Sequence, residues 1–189
     1  YFQSNFLYWC CKVWSMSKLV LRYPTIEDIP ELKRVCLEPW AIDYGFVHYF
    51  ETLLKKDVTL LIDFLPNMAK GIGIPGDHVP CTFMFAFIGE RIVGRTSIRH
   101  ELNENLRKDG GHIGYAVTPS DRQKGYATEI LKQSLACCIK ELNLNEILIT
   151  CDDDNIASIK TIDKNGGVLI DKLSQGDELP LKRRYEIKI

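Results

Sequence analysis

Two cations, Arg122 and Lys124, flank Gln123 just before Gly125, and Tyr126, Ala127 and Thr128 then open a helical pattern. The first backbone N–H groups of a helix have no partner within it and carry the positive end of its dipole, so such a start suits an anion. Gly125 lets that anion approach the main chain. Two cations here oppose the dipole by roughly 0.3–1 kcal/mol each unless an anion lies between them. Two arrangements satisfy this local chemistry. Either a pyrophosphate is bound at the turn, or Ser120 or Asp121 caps the helix and both basic side chains extend into water.

Other patterns lead elsewhere. Gly71-Ile72-Gly73-Ile74-Pro75-Gly76 satisfies Gly-x-Gly-x-x-Gly, but it follows no clear strand and its prolines bar a following helix, so it reads as a loop over the active site. Asp152-Asp153-Asp154 lacks the glycine and closing glutamate of a calcium loop and reads as a helix cap; no metal is expected. Lys182-Arg183-Arg184 is the charged signature of an edge strand. The seven cysteines, at 10, 11, 36, 81, 137, 138 and 151, show no metal-type spacing and fit a reduced, cytoplasmic setting.

The elements that must position the helix start read as follows. Leu19 to Tyr23 is a short strand, and Thr25 N-caps a first helix. Between Glu38 and Leu65, Phe46, Tyr49, Phe50, Leu53 and Leu54 recur at helical spacing, giving one or two further helices as a substrate-facing wall. Thr82 to Ile88, a Gly89-Glu90 turn and Arg91 to Arg99 form an antiparallel hairpin. His112 to Thr118 is a strand, and a long helix follows Pro119, with Ile130, Leu131, Leu135, Cys138 and Ile139 on one face, ending near Asn143. Glu146 to Cys151 is a strand, Ala157 to Lys164 a helix, and Val168 to Leu173 and Leu181 to Ile189 are strands.

The resulting class is α/β (α+β): one domain with a mixed six- to seven-stranded sheet flanked by helices, in the order β-α-α-β-β-β-α-β-α-β-β. The strand, helix, strand run at 112–151 predicts a parallel crossover.

With 189 residues, 46% hydrophobic and 26% charged, the chain has the composition of one globular domain. Its net charge of −1 argues against a nucleic-acid partner, and no segment reaches the roughly 20 apolar residues of a membrane span. Tyr1-Phe2-Gln3-Ser4 looks like a tag remnant, so residues 1–15 are set apart from a domain at 16–189 beginning at Met16.

Arg122-x-x-Gly125-x-Ala127, in its strand-and-helix setting, resembles the signature of the GNAT acetyltransferases. The wider run from His112-Ile113-Gly114-Tyr115 to Thr128-Glu129 is similar to the branch that acetylates ribosomal-protein N-termini. The likeness continues through Asn155-x-x-Ser158 to Gly166-Gly167. It implies acetyl-CoA as co-substrate, with its pyrophosphate gripped by Arg122, Gln123, Lys124, Gly125, Tyr126, Ala127 and Thr128. Main chain at Ala116 and Val117 would pair with the pantetheine arm, and Asn155 and Ser158 would line it. The reaction it implies needs an amine relieved of a proton. Candidates are His112, with an intrinsic pKa near 6.5, and Glu101, acting through an ordered water; His100, Asn103 and Glu104 are neighbours that could bind substrate instead.

The sequence departs from the family at one place. Where many members carry a proton-donating tyrosine, this chain has Ile162. Either the thiolate leaves unassisted or through water, or the chain is a non-catalytic acyl-CoA sensor. The expected acceptor is a primary amine of a small molecule or a peptide, the latter making it a protein N-terminal acetyltransferase; a homodimer is compatible with either. Acidic residues lining the cleft would favour polyamine or aminoglycoside acceptors, and an open, backbone-lined channel would favour peptides.

Overall fold

The computed structural model describes residues 18–43, 45–47 and 50–189. The expectations for residues 1–15, Met16 and Tyr49 lie outside them. Strand β1 (Val20–Arg22) leads through a 3-10 turn at Ile26–Asp28 into α1 (Ile29–Cys36), followed by α2 (Pro39–Asp43), α3 (Glu51–Lys56) and α4 (Leu60–Ala69). The spacing predicts one or two helices in the α2–α4 region, where the described residues form three.

These helices cover the hairpin of β2 (Cys81–Ile88) and β3 (Arg91–Arg99). Their apolar faces supply Leu54, Leu61 and Leu65, which pack with Phe46 and Phe50 against Phe83 and Phe85. Phe50 meets Phe83 edge-on at 4.8 Å between ring centroids, an arrangement aromatic pairs favour.

After β3 the chain makes α5 (Glu104–Lys108), β4 (Ile113–Val117) and α6 (Tyr126–Leu142). The five-residue α5 had no sequence counterpart; Asn103 caps it, its side-chain oxygen accepting from the Leu106 N–H at 2.9 Å. Helix α6 buries Ile130, Leu131, Leu135 and Cys138 as expected, but Ile139 is 48% exposed. The chain finishes with β5 (Glu146–Asp152), α7 (Ile156–Lys164), β6 (Val168–Leu173) and β7 (Lys182–Lys188).

The strands form two antiparallel sheets, β1-β2-β3-β4 and β5-β7-β6. The parallel ladder expected between β4 and β5 is not present. They touch at one end, where Gly111 bridges Ile149 and the His112 N–H donates to the Leu148 carbonyl at 2.7 Å. The Leu148 N–H, which a ladder would give to a carbonyl, donates instead to Nδ1 of His112 at 3.0 Å. Pairing stops there and the strands diverge.

Gly111 makes the approach possible. It has φ +61°, and a β-carbon on it would lie 2.4 Å from the Leu148 carbonyl oxygen. Gly111→Ala therefore combines overpacking against main chain with a disfavoured backbone region, a destabilisation of about 3 kcal/mol. For a chain of this length we expect the melting temperature to fall by roughly 6–12 °C, measured by calorimetry. An unchanged midpoint would show that the two sheets do not depend on this contact.

Candidate functional site

Because β4 is the last strand of its sheet and parts from β5 beyond Gly111, its outer edge faces open space. Among the described residues a cavity of about 600 Å³ occupies that opening. Ala116 and Val117 line it from β4, Arg122, Gln123, Gly125, Tyr126, Ala127 and Thr128 from the turn into α6, and Asn155 and Ser158 from the start of α7. Ten of the residues singled out from sequence as cofactor-binding thus share one cavity.

The turn forms through two left-handed residues, Gln123 at φ 63° and Gly125 at φ 82°. Gly125 is the N-cap of α6, in place of the Ser120 or Asp121 cap weighed above; those two lie in a 3-10 turn at Pro119–Asp121. The Glu129 N–H returns to the Gly125 carbonyl at 3.3 Å, so the amides of Tyr126, Ala127 and Thr128 precede the helical bonding pattern. Alternating left-handed positions turn successive amides toward one concavity, a backbone geometry that holds anions.

Lys124 is not among the lining residues. Its ammonium is 2.8 Å from Asp121 Oδ1, and Arg91 holds Oδ2 of the same carboxylate at 2.9 Å. Thr118 donates to Oδ2 at 2.7 Å. Burial alone would raise the Asp121 carboxyl, but Lys124, Thr118 and Arg91 outweigh it and hold the group at about 2. The expectation that Lys124 needs a bound anion is corrected on this point: Asp121 already balances it and braces the turn from beneath.

A second cavity, of about 630 Å³, continues past a shared wall of Phe46, Tyr115, Asn155 and Ser158. Tyr115 was not selected from sequence. It lies on the same face of β4 as Ile113 and Val117, and its hydroxyl donates to the Ser158 carbonyl at 3.4 Å. Burial pushes its phenol up to about 12, so it stays protonated throughout the neutral range. Arg95, Ser97 and Arg99 also line this cavity from β3.

The two candidates for proton removal lie elsewhere. Glu101 is exposed just beyond β3 and lines neither cavity. His112 lines a separate hollow with Arg107, Glu146 and Arg184, and its Nδ1 accepts the Leu148 N–H. Burial, aided by the Arg107 charge, lowers its pKa. Placement gives His112 the task of joining the sheets, and the structure does not bring either residue to the cleft. His100 shares a hydrogen bond with Thr82 at 2.9 Å, and Asn103 caps α5. Ile162 is fully buried among Ile147, Ile149 and Tyr185, so no proton donor reaches the cleft from that position. Among the described residues no group of three or more His, Cys, Asp or Glu side chains could hold a metal, and no helix is long and apolar enough to cross a membrane.

A strand edge parted from its neighbour, an amide-rich turn at one end of the opening and a second cavity beyond it form one continuous cleft. The chain belongs to the GNAT acetyltransferase family: residues 18–168 match the family described as Acetyltransferase (GNAT) domain. It is 39% identical over 54 residues to the uncharacterized N-acetyltransferase YnaD of Bacillus subtilis (strain 168), a stretch covering 29% of this chain and 32% of that protein. The chain thus spans about a third of the length of that relative. Among solved structures it is similar to RimL, a ribosomal L7/L12 alpha-N-protein acetyltransferase in complex with coenzyme A, with TM-score 0.65, 16% identity and coverage of 90% and 94% of the two chains. It is also similar to the spermidine N-acetyltransferase of Vibrio cholerae in complex with CoA and spermine, with TM-score 0.61, 16% identity and coverage of 91% and 96%. At these identities the likeness to solved structures is one of fold.

Proposed function

We propose that the chain transfers an acetyl group from acetyl-CoA to a primary amine by direct attack in a ternary complex. The observation that carries this reading is the continuity of the cleft: the cavity lined by Arg122 to Thr128 and the β4 edge meets the second cavity at Tyr115 and Ser158. The diphosphate belongs at the amides of Tyr126, Ala127 and Thr128 beside Arg122. The pantetheine arm runs along Ala116 and Val117, with Asn155 and Ser158 opposite. The thioester then reaches the wall between the cavities, where an amine entering from the far side is held close to it.

Ile162 favours a second reading, an acyl-CoA sensor without turnover, because the family's usual tyrosine is missing. Tyr115 favours catalysis, since a half-buried, protonated phenol on the wall between the cavities can hand its proton to the departing thiolate while taking one from the attacking nitrogen, and so ends neutral as it began.

Coenzyme A release with a panel of amines, run beside a thermal shift with acetyl-CoA, separates the readings. At one hundred times Kd the ligand should stabilise the fold by about 2.7 kcal/mol, a rise of roughly 5–10 °C, and some amine should release coenzyme A. Stabilisation without turnover on any amine would establish the sensor, and no stabilisation would remove both readings.

A further inference from the structure

The second cavity carries information about its occupant. Arg95, Ser97 and Arg99 alternate along β3 and therefore present one face to it. Arg99 is half-buried, and its Nη1 donates to the carbonyls of Gly110 at 3.2 Å and Gly111 at 3.0 Å. Among the described residues its Nε and Nη2 make no hydrogen bond to the protein, and no carboxylate lies within 4 Å of it. Nε and Nη2 form one edge of the guanidinium, with two parallel donors spaced for the oxygens of a carboxylate or phosphate.

The carboxylates of the same cavity are already engaged. Lys182 bridges them, 2.9 Å from Asp109 Oδ1 and 2.7 Å from Asp152 Oδ1. A polyamine would have to compete with that lysine, and it would meet Arg99 as a like charge. Acidic lining, the feature that would favour polyamine or aminoglycoside acceptors, is thus balanced within the wall itself.

Beyond Arg99 the cavity adjoins a smaller, mostly apolar one of about 220 Å³, lined by Phe50, Phe64, Met68 and Ile74 but also by Asp77 and Asn103, and sharing Phe83 and Arg99 with it. That volume is below the range for whole drug-sized ligands and suits a single apolar group.

We infer that the acceptor is an amine that also carries an anionic group, a carboxylate or a phosphate, together with an apolar arm. The anion sits on the open edge of Arg99, the arm enters the Phe50–Met68 pocket, and the amine is left facing Tyr115 and Ser158. This inference rests on the acetyl-transfer reading. Recognition by a charged, two-point hydrogen bond changes affinity by about tenfold or more when it is lost.

The test compares matched amines on the unaltered chain with acetyl-CoA. Leucine, methionine and phenylalanine are set against their amides and against the phosphonate analogues of the same three, with spermidine as a separate arm. Expected is a kcat/KM at least about tenfold higher for the acid-bearing amines than for the amides or spermidine; carboxylate against phosphonate decides which anion is preferred. In Arg99→Gln the preference should collapse through a rise in KM, with kcat within about threefold and the acetyl-CoA thermal shift retained, and Arg99→Lys should restore part of it. Because Arg99 also pins the Gly110–Gly111 loop, the comparison on the unaltered chain stands without either variant. Amides or spermidine used as well as the acids, or a preference surviving in Arg99→Gln, would overturn the inference. So would a chain stabilised by acetyl-CoA that turns over spermidine or the amides but none of the acid-bearing amines. Absence of any acetyl-CoA stabilisation, or stabilisation with no turnover of any amine, would instead defeat the acetyl-transfer reading beneath it.

Discussion

Tyr115→Phe is expected to lower kcat by about 10²-fold while acetyl-CoA affinity stays within about twofold. The loss lies at the lower end of the range for a general acid because a thiolate, whose conjugate thiol has an ordinary pKa of about 8.5, already leaves well. Tyr115 suits the role by position, on the wall shared by the two cavities; burial holds its phenol at about 12, above the thiol it would form, so it acts as a relay that takes the attacking nitrogen's proton as it gives up its own. A donor with that value does not titrate in the working range, so the alkaline limb of the pH–rate profile between pH 7 and 10 should show no decline from this group. The variant keeps the ring and its packing, so its melting temperature reports any structural loss separately. A Phe variant with the parent kcat would show that the thiolate leaves unassisted, and the role of Tyr115 would reduce to holding Ser158.

What the sequence revealed and what it concealed divide along physical lines. The start of α6 was legible because its signals are local: a strand, a proline, a glycine and a 3.6-residue periodicity lie within about twenty residues of one another. The division into two sheets was not, because it depends on His112 capturing the N–H of Leu148 36 positions away and on a glycine whose missing β-carbon only a folded neighbour makes necessary. The same contact misdirected the reading of His112. A histidine at a strand start with a near-neutral intrinsic pKa looks like a base until its ring nitrogen is found to be occupied. Lys124 could have been read better from sequence, since Asp121 stands only three residues before it, within reach across the turn. Tyr115 was in plain view within the Gly114-Tyr115-Ala116-Val117 run, but strand alternation says only that it shares a face with Ile113 and Val117. It cannot say that this face borders two cavities. Arg99 was hidden for a similar reason, as the last residue of a hairpin strand whose open side depends on where α5 and the second sheet settle.

The pairing of Lys124 with Asp121 also decides how the anion cradle should be probed. Reversing the charge of Lys124 would undo the ion pair beneath the turn, and lost binding could then follow from a lost turn. Ala127→Asp separates the two effects. A carboxylate in the first turn of a helix interacts favourably with its dipole by roughly 0.3–1 kcal/mol, so the free protein should melt at the same temperature or roughly 1–3 °C higher. The same carboxylate enters the cavity lined by Arg122 to Thr128, where two phosphates would meet a like charge. At about 4 Å near a protein surface that repulsion is on the order of 4 kcal/mol per charge pair, and a rise in Kd for acetyl-CoA of at least about 100-fold requires only about 2.7 kcal/mol. Isothermal titration gives the affinity and calorimetry the stability. Parent-like binding by Ala127→Asp would place the diphosphate away from α6 and leave the Arg122–Thr128 turn without its proposed ligand. A protein at least as stable as the parent that has lost acetyl-CoA cannot have lost it through unfolding, so the space taken by the new carboxylate must be space the anion needs.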